Sequence, residues 1–201
     1  MKPSVKFSLI FVSLAFFLLP AVASAATYYV TPTGAGLRNG SDWANAFANL
    51  PATLQREATY FIADGSYPWY LFDEVPSSGT QYITVKKAIV SDHGTDAGWQ
   101  SSYGDGQAVF PGMEIRGTDY VIVDGQTGSG FNHTSYGIYI HNTNPNSVGA
   151  ALGITIASSN IIVRHVEVEQ AGEGTPGDAP GIQAKGKDAA VSAIEMVNLT
   201  G

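Results

Sequence analysis

Three groups of residues in this 201-residue chain have types and spacing suited to chemistry. Glu167 and Glu169 stand two apart in an alternating segment, which sends both carboxylates to one side of a strand. Such a pair could begin a calcium site, which gathers about six to eight oxygen ligands. It could equally be a solvated acidic face, and the aligned positions Thr127 and Thr200 add no carboxylate. Arg164 and His165 sit where an apolar alternation changes phase: Ile161 and Val163 share one face, Val166 and Val168 the next. Trp69 and Tyr70 lie in the aromatic run from Ser66 to Phe72. Aromatic faces in this run could form a platform for sugars, or could cover an open end of a core. His93, His133 and His141 lack the mutual or carboxylate spacing of a zinc site.

The elements that must position these groups are short strands. Four apolar β-type segments recur too far apart for hairpins: Tyr82–Val85, Tyr120–Val123, Asn160–Val163 and Ala193–Met196. The run from Asp119 to Gly125 aligns without a gap with the run from Ser159 to His165, 40 positions later, and the outer spacings are 38 and 33. Repeats of that length suggest stacked coils, each unable to bury its apolar face alone. The alignment sets Arg164 over Asp124, and stacked strands lie about 4.8 Å apart, so an ion pair between coils is expected there. The phase change at Arg164-His165 requires a corner between two strands. Upstream, residues 27–31 read as a strand, and Ser41 could cap a short helix over Asp42–Leu50, with Trp43, Phe47 and Leu50 on one side. Val109–Arg116 reads as one strand. His93–Asp105 and Gly172–Pro180 read as surface excursions.

Address and composition bound the function. Lys2 and Lys6, the apolar run Phe7–Leu19 and the small residues Ala23-Ser24-Ala25 form a secretory signal peptide over residues 1–25, with cleavage after Ala25. The run is shorter than the roughly 20 residues of a membrane span, and no span is expected after signal removal. Removal of the leader leaves eight basic against 17 acidic residues, a balance of −9. That charge argues against nucleic acid and against unaided binding of polyanions. Cysteine is absent, so an exported fold must be held by packing alone. With 23 glycines and only 13% charged residues, the chain suits an all-β protein with many turns. Asn39-Gly40-Ser41, Asn132-His133-Thr134 and Asn198-Leu199-Thr200 match the glycosylation pattern.

The opening YYVTPTGAGLRNGSDWANAFANL, the middle DHGTDAGWQSSYGDGQAVFPG and the rung DYVIVDGQ resemble secreted right-handed parallel β-helix proteins of the pectate-lyase-like superfamily. The resemblance implies an N-terminal strand and short helix, matched by residues 27–54, that cap the stack; cap and first coil take up 26–78 and further coils 79–201. It also implies more coils than this chain supplies, and hence an N-terminal portion of a longer protein. Family resemblance further implies work on polysaccharide, commonly β-elimination on uronic-acid polymers. That reaction takes a base, often Lys or Arg, and a cation, often calcium, to neutralise the substrate carboxylate. On this basis Lys185 and Arg164 are the candidate catalytic groups. Asp178 and Glu173 join Glu167 and Glu169 as candidate calcium ligands, and Trp69 and Tyr70 are candidates for sugar stacking. No family motif matches Lys185, Asp178 or Glu173 residue by residue. Two functions are therefore carried forward, a polysaccharide lyase and a non-catalytic surface, adhesion or glycan-binding module; a domain without independent activity is the third.

Overall fold

A computed structural model describes residues 25–74, 81–129, 135–144, 149–156, 158–170, 181–185 and 192–200; for 185 and 192–200 it describes the backbone alone. Residues 1–24, Glu173 and Asp178 lie outside these residues, and Ala25, the expected cleavage position, is the first one described. Among the described residues no helix is long and apolar enough to cross a membrane.

Strands dominate, and the pairs between them are parallel. In chain order they are β1 (Ala26–Thr31), β2 (Phe47–Ala48), β3 (Ala58–Ile62), β4 (Gly65–Ser66), β5 (Tyr70–Phe72), β6 (Ile83–Lys87) and β7 (Ala108–Phe110). There follow β8 (Met113–Arg116), β9 (Val121–Asp124), β10 (Ile138–Asn142), β11 (Leu152–Thr155), β12 (Ser159–Gln170), β13 (Ile182–Lys185) and β14 (Ser192–Thr200). They form a ten-stranded sheet and a four-stranded sheet.

Three columns of pairing run through these sheets. The first joins β1, β3, β6, β9, the start of β12 and β14; the second joins β4, β7, β10 and the end of β12. The third is β5, β8, β11 and β13. The chain visits the columns in that order four times. Parallel neighbours cannot be joined by a hairpin, which is why each return costs a long stretch of sequence.

The spacing of 40 is a true register: Ile161 pairs with Val121, Val163 with Val123 and Arg164 with Asp124. The spacings of 38 and 33 appear as Ile83 opposite Val121 and Ile161 opposite Ile194. Apolar residues stack over apolar residues, so Val85, Val123 and Val163 are fully buried together, as are Phe72, Ile115 and Ile154 in the third column.

The corner expected at Arg164-His165 is built by one residue. β12 is continuous in hydrogen bonding, but His165 takes φ 55, the left-handed region. Before it the strand pairs with β9 and after it with β10, so Val163 and Val166 both face inward. The turn brings the His165 carbonyl hard against Gly125: a Cβ there would lie 1.9 Å from the His165 oxygen. Only glycine fits at that position.

The helix expected over Asp42–Leu50 is not formed. A single 3₁₀ turn spans Trp43–Asn45, capped by Asp42 rather than Ser41, with the Asn45 N–H donating to Asp42 Oδ1 at 2.8 Å. Phe47 and Ala48 then pair with Val30 and Thr31 as a strand. Sheet pairing outcompetes a segment whose Asn and aromatic residues are weak helix formers.

Nor is His93–Asp105 a free excursion. The Trp43 indole donates to the His93 carbonyl at 3.0 Å and packs on Tyr29, Trp99 and Tyr103. A second apolar cluster thus forms outside the first column, around Trp43, Tyr29, Phe61 and Ala88.

Candidate functional site

Alternation fixes what the third column shows to solvent. Tyr70 and Phe72 on β5, Met113 and Ile115 on β8, and Leu152 and Ile154 on β11 are buried in the core. The residues between them point outward: Leu71, Glu114, Arg116, Gly153, Thr155 and, on β13, Gln183. The register sets Gly153 between Glu114 and Gln183, and Thr155 between Arg116 and Lys185.

A cavity of about 430 Å³ lies over this face, lined by Trp69, Glu114, Asn142, Asn144, Thr155 and Gln183 among others. Trp69 precedes β5 at its rim and is 49% exposed, unusual for so large an apolar side chain. Gly112 makes that position possible. A Cβ on Gly112 would come 2.8 Å from the indole Cδ1, so the ring lies directly against the backbone.

On the same face, Arg116 donates through Nε to Glu114 Oε1 at 2.9 Å and through Nη2 to Oε2. The Thr155 hydroxyl donates to the same carboxylate at 2.8 Å. The Arg116 hydrogen bond is the main reason the Glu114 carboxyl lies below its usual range, with Thr155 reinforcing it against partial burial. Glu114 is therefore a fixed anion.

Of the residues singled out from the sequence, Trp69 and the position of Lys185 come to this face. Tyr70 does not. Its ring is buried edge-on against Phe72 and its hydroxyl donates to the Pro51 carbonyl at 2.6 Å, so no face is left for a sugar. Burial pushes its phenol up.

Arg164 is engaged elsewhere. Its Nη2 lies 2.9 Å from Asp124 Oδ2, the ion pair between coils that the alignment requires. Asp124 also meets His165 Nδ1 at 2.9 Å and accepts the Gln126 N–H at 2.8 Å. Burial alone would raise the Asp124 carboxyl, but these three partners outweigh it and hold it below its usual range.

Glu167 and Glu169 do not form a solvated acidic pair. Glu167 is 4% exposed, covered because β12 has neighbours on both sides and Tyr139 holds the register position beside it. Glu169 is exposed, accepts the Tyr139 hydroxyl and lies 3.8 Å from His141 Nε2. Burial and the two glutamates push the Tyr139 phenol up. Among the described residues no three His, Asp or Glu side chains gather as a metal site would.

Reading Val109–Arg116 as one strand hides Glu114 and Arg116. Pro111-Gly112 breaks it, and the inward residues shift from Ala108 and Phe110 to Met113 and Ile115. A change of parity across a Pro-Gly pair was the available signal. Lys87 was also missed. It is fully buried, paired with Asp64, and donates to the Tyr103 carbonyl at 3.1 Å. Its desolvation pulls the ammonium below its usual range, against the support of Asp64. The alternation Ile83, Val85, Lys87 pointed inward all along.

No family model, curated protein or solved structure matches this chain.

Proposed function

We propose that the chain is a secreted, right-handed parallel β-helix protein that binds polysaccharide along the outer face of β5, β8, β11 and β13. The observation that carries this function is Trp69, half exposed and seated on Gly112, beside a row of outward polar residues from adjacent strands. Parallel strands repeat at about 4.8 Å, on the scale of one sugar ring, so a polymer crossing the strands meets like positions in succession. An aromatic face supplies apolar contact, and Asn142, Thr155 and Gln183 supply groups able to bond hydroxyls. The right-handed winding, the secretory address and the likeness to pectate-lyase-like proteins belong to the same proposal. It is supported by four rounds of parallel pairing and by the leader sequence.

Elimination on a uronan is the second function, and it rests on Lys185. The register puts this lysine beside Thr155, in the row that contains Arg116. The arginines offer less: Arg116 is taken up by Glu114 and Arg164 by Asp124.

The test is electrophoresis of the secreted protein through native gels containing dissolved polysaccharides. Retardation by a polysaccharide that Trp69→Ala weakens about tenfold is the expected result. Equal mobility in every gel would overturn the assignment. Incubation with pectate and alginate, with and without calcium, separates the second function by the appearance of unsaturated products.

A further inference from the structure

We propose that the groove over the third column selects neutral glycans over uronic-acid polymers, an inference that rests on the glycan groove proposed above. Among the described residues one charged side chain lines it, the Glu114 carboxylate, whose ion pair with Arg116 is neutral overall. Glu114 is locked by two donors of one guanidinium and by the Thr155 hydroxyl, which hold its carboxylate in place beneath the cavity. Arg116, the cation a uronate would seek here, already has Nε and Nη2 committed to Glu114. A sugar carboxylate reaching Arg116 must displace that contact or approach Glu114 as a like charge.

The other polar lining residues, Asn142, Asn144, Thr155 and Gln183, are uncharged amides and a hydroxyl. Amides both donate and accept, and the Thr155 oxygen can still accept while its proton goes to Glu114, which matches sugar hydroxyls without demanding charge. The chain without its leader carries −9, and that field opposes a polyanion before contact. Trp69 adds an apolar face at the rim, which a neutral ring can cover without stripping a charged group of water. The register puts Lys185 beside Thr155 at the end of the row.

The test uses the secreted chain in native gels, run in parallel with soluble xylan, mixed-linkage glucan and galactomannan, and with polygalacturonate and alginate, at low and moderate salt. Retardation by at least one neutral polysaccharide and by neither uronan is expected. Trp69→Ala should weaken the neutral interaction about tenfold, the scale of one aromatic contact. Glu114→Gln should begin to retard on uronans, because it removes the carboxylate and leaves the Arg116 charge unpaired. Thermal melting of each variant shows that the fold is kept, and Trp69→Phe, which retains a ring, covers the case in which the alanine variant melts early.

Uronan retardation of the unaltered chain, equal to or stronger than the neutral one, would overturn the neutral preference and leave the glycan groove standing. Retardation in no gel would remove both. Neutral binding that neither Trp69→Ala nor Glu114→Gln changes, with melting intact, would place the glycan elsewhere and overturn the inference.

Discussion

Two regions of this molecule use the same residue types for opposite ends. At the corner between the first and second columns, Asp64, Lys87, Asp124, Arg164 and His165 meet in pairs and triples, mostly out of water. On the outer face of the third column, Glu114, Arg116 and Thr155 also meet, but under an open cavity beside an exposed indole. Charge in the corner is consumed in holding one winding to the next. On the open face it sets what can approach. Charged clusters alone therefore do not mark a site in a stacked fold; what lies above them decides.

The largest effect should come from breaking the buried pair of the corner. Asp64→Ala leaves the fully buried Lys87 ammonium without its carboxylate, and also frees the Asp105 N–H that Asp64 accepts at 3.0 Å. Removing one partner of a buried pair typically costs about 3–5 kcal/mol. Urea unfolding followed by circular dichroism should show that loss. The double variant Asp64→Ala with Lys87→Met should recover much of it, because no uncompensated charge remains. A single variant as stable as the parent would mean that the corner is not held by this pair.

Asp124 comes next. Its carboxylate has three partners, and Asp124→Ala should cost about 1–3 kcal/mol, the range for hydrogen bonds to a charged group. The sign with pH follows from its lowered pKa. Stability from Asp124 is present above the unfolded carboxylate value, about pH 4, and drains away as pH falls through the lower folded value. Asp124→Asn should flatten that part of the acid limb when urea midpoints are compared between neutral pH and acid. An unchanged acid limb would show that the carboxylate is not the linked group.

On the open face the expected change is in binding rather than stability. Gly112→Ala puts a methyl group 2.8 Å from the Trp69 indole and must move it. Glycan retardation should fall severalfold, toward that of Trp69→Ala, while the melting temperature shifts little, since the displaced ring is half exposed. Full binding by Gly112→Ala would mean that the seated orientation of Trp69 is unimportant, and the contrast between the regions would weaken.

How much of this could be read in the sequence differs between the same two regions. The pairing of Val123 with Val163 and of Asp124 with Arg164 was legible because two runs aligned without a gap, and a parallel ladder preserves such alignment. The turn at His165 was legible from the phase change. Lys87 was not, because lysine is read as a surface residue even when its strand parity points inward. The Trp43, Phe47 and Leu50 spacing imitates a helix, yet Trp43 packs in the outer cluster while Phe47 and Leu50 pack with the main core, so no single apolar stripe exists. The open face was the least legible. Its members come from 69, 114, 142, 155 and 183, brought together by three returns of the chain, with a Pro-Gly break hiding the parity of Glu114. Local pattern finds strands, while a site across strands needs register between all of them.

The smallest effect is also the one that tests the division most sharply. Arg164 was a candidate base, yet it lies 2.9 Å from Asp124 with its side chain 42% exposed. Solvent screens a pair of that kind, and Asp124 keeps His165 and the Gln126 N–H when Arg164 is gone. Arg164→Ala should therefore cost only about 0–1 kcal/mol in urea unfolding and leave glycan retardation unchanged. Retardation lost with melting intact would put the arginine in the binding surface. The corner would then be part of the site, and the separation of a structural region from a functional one would fall.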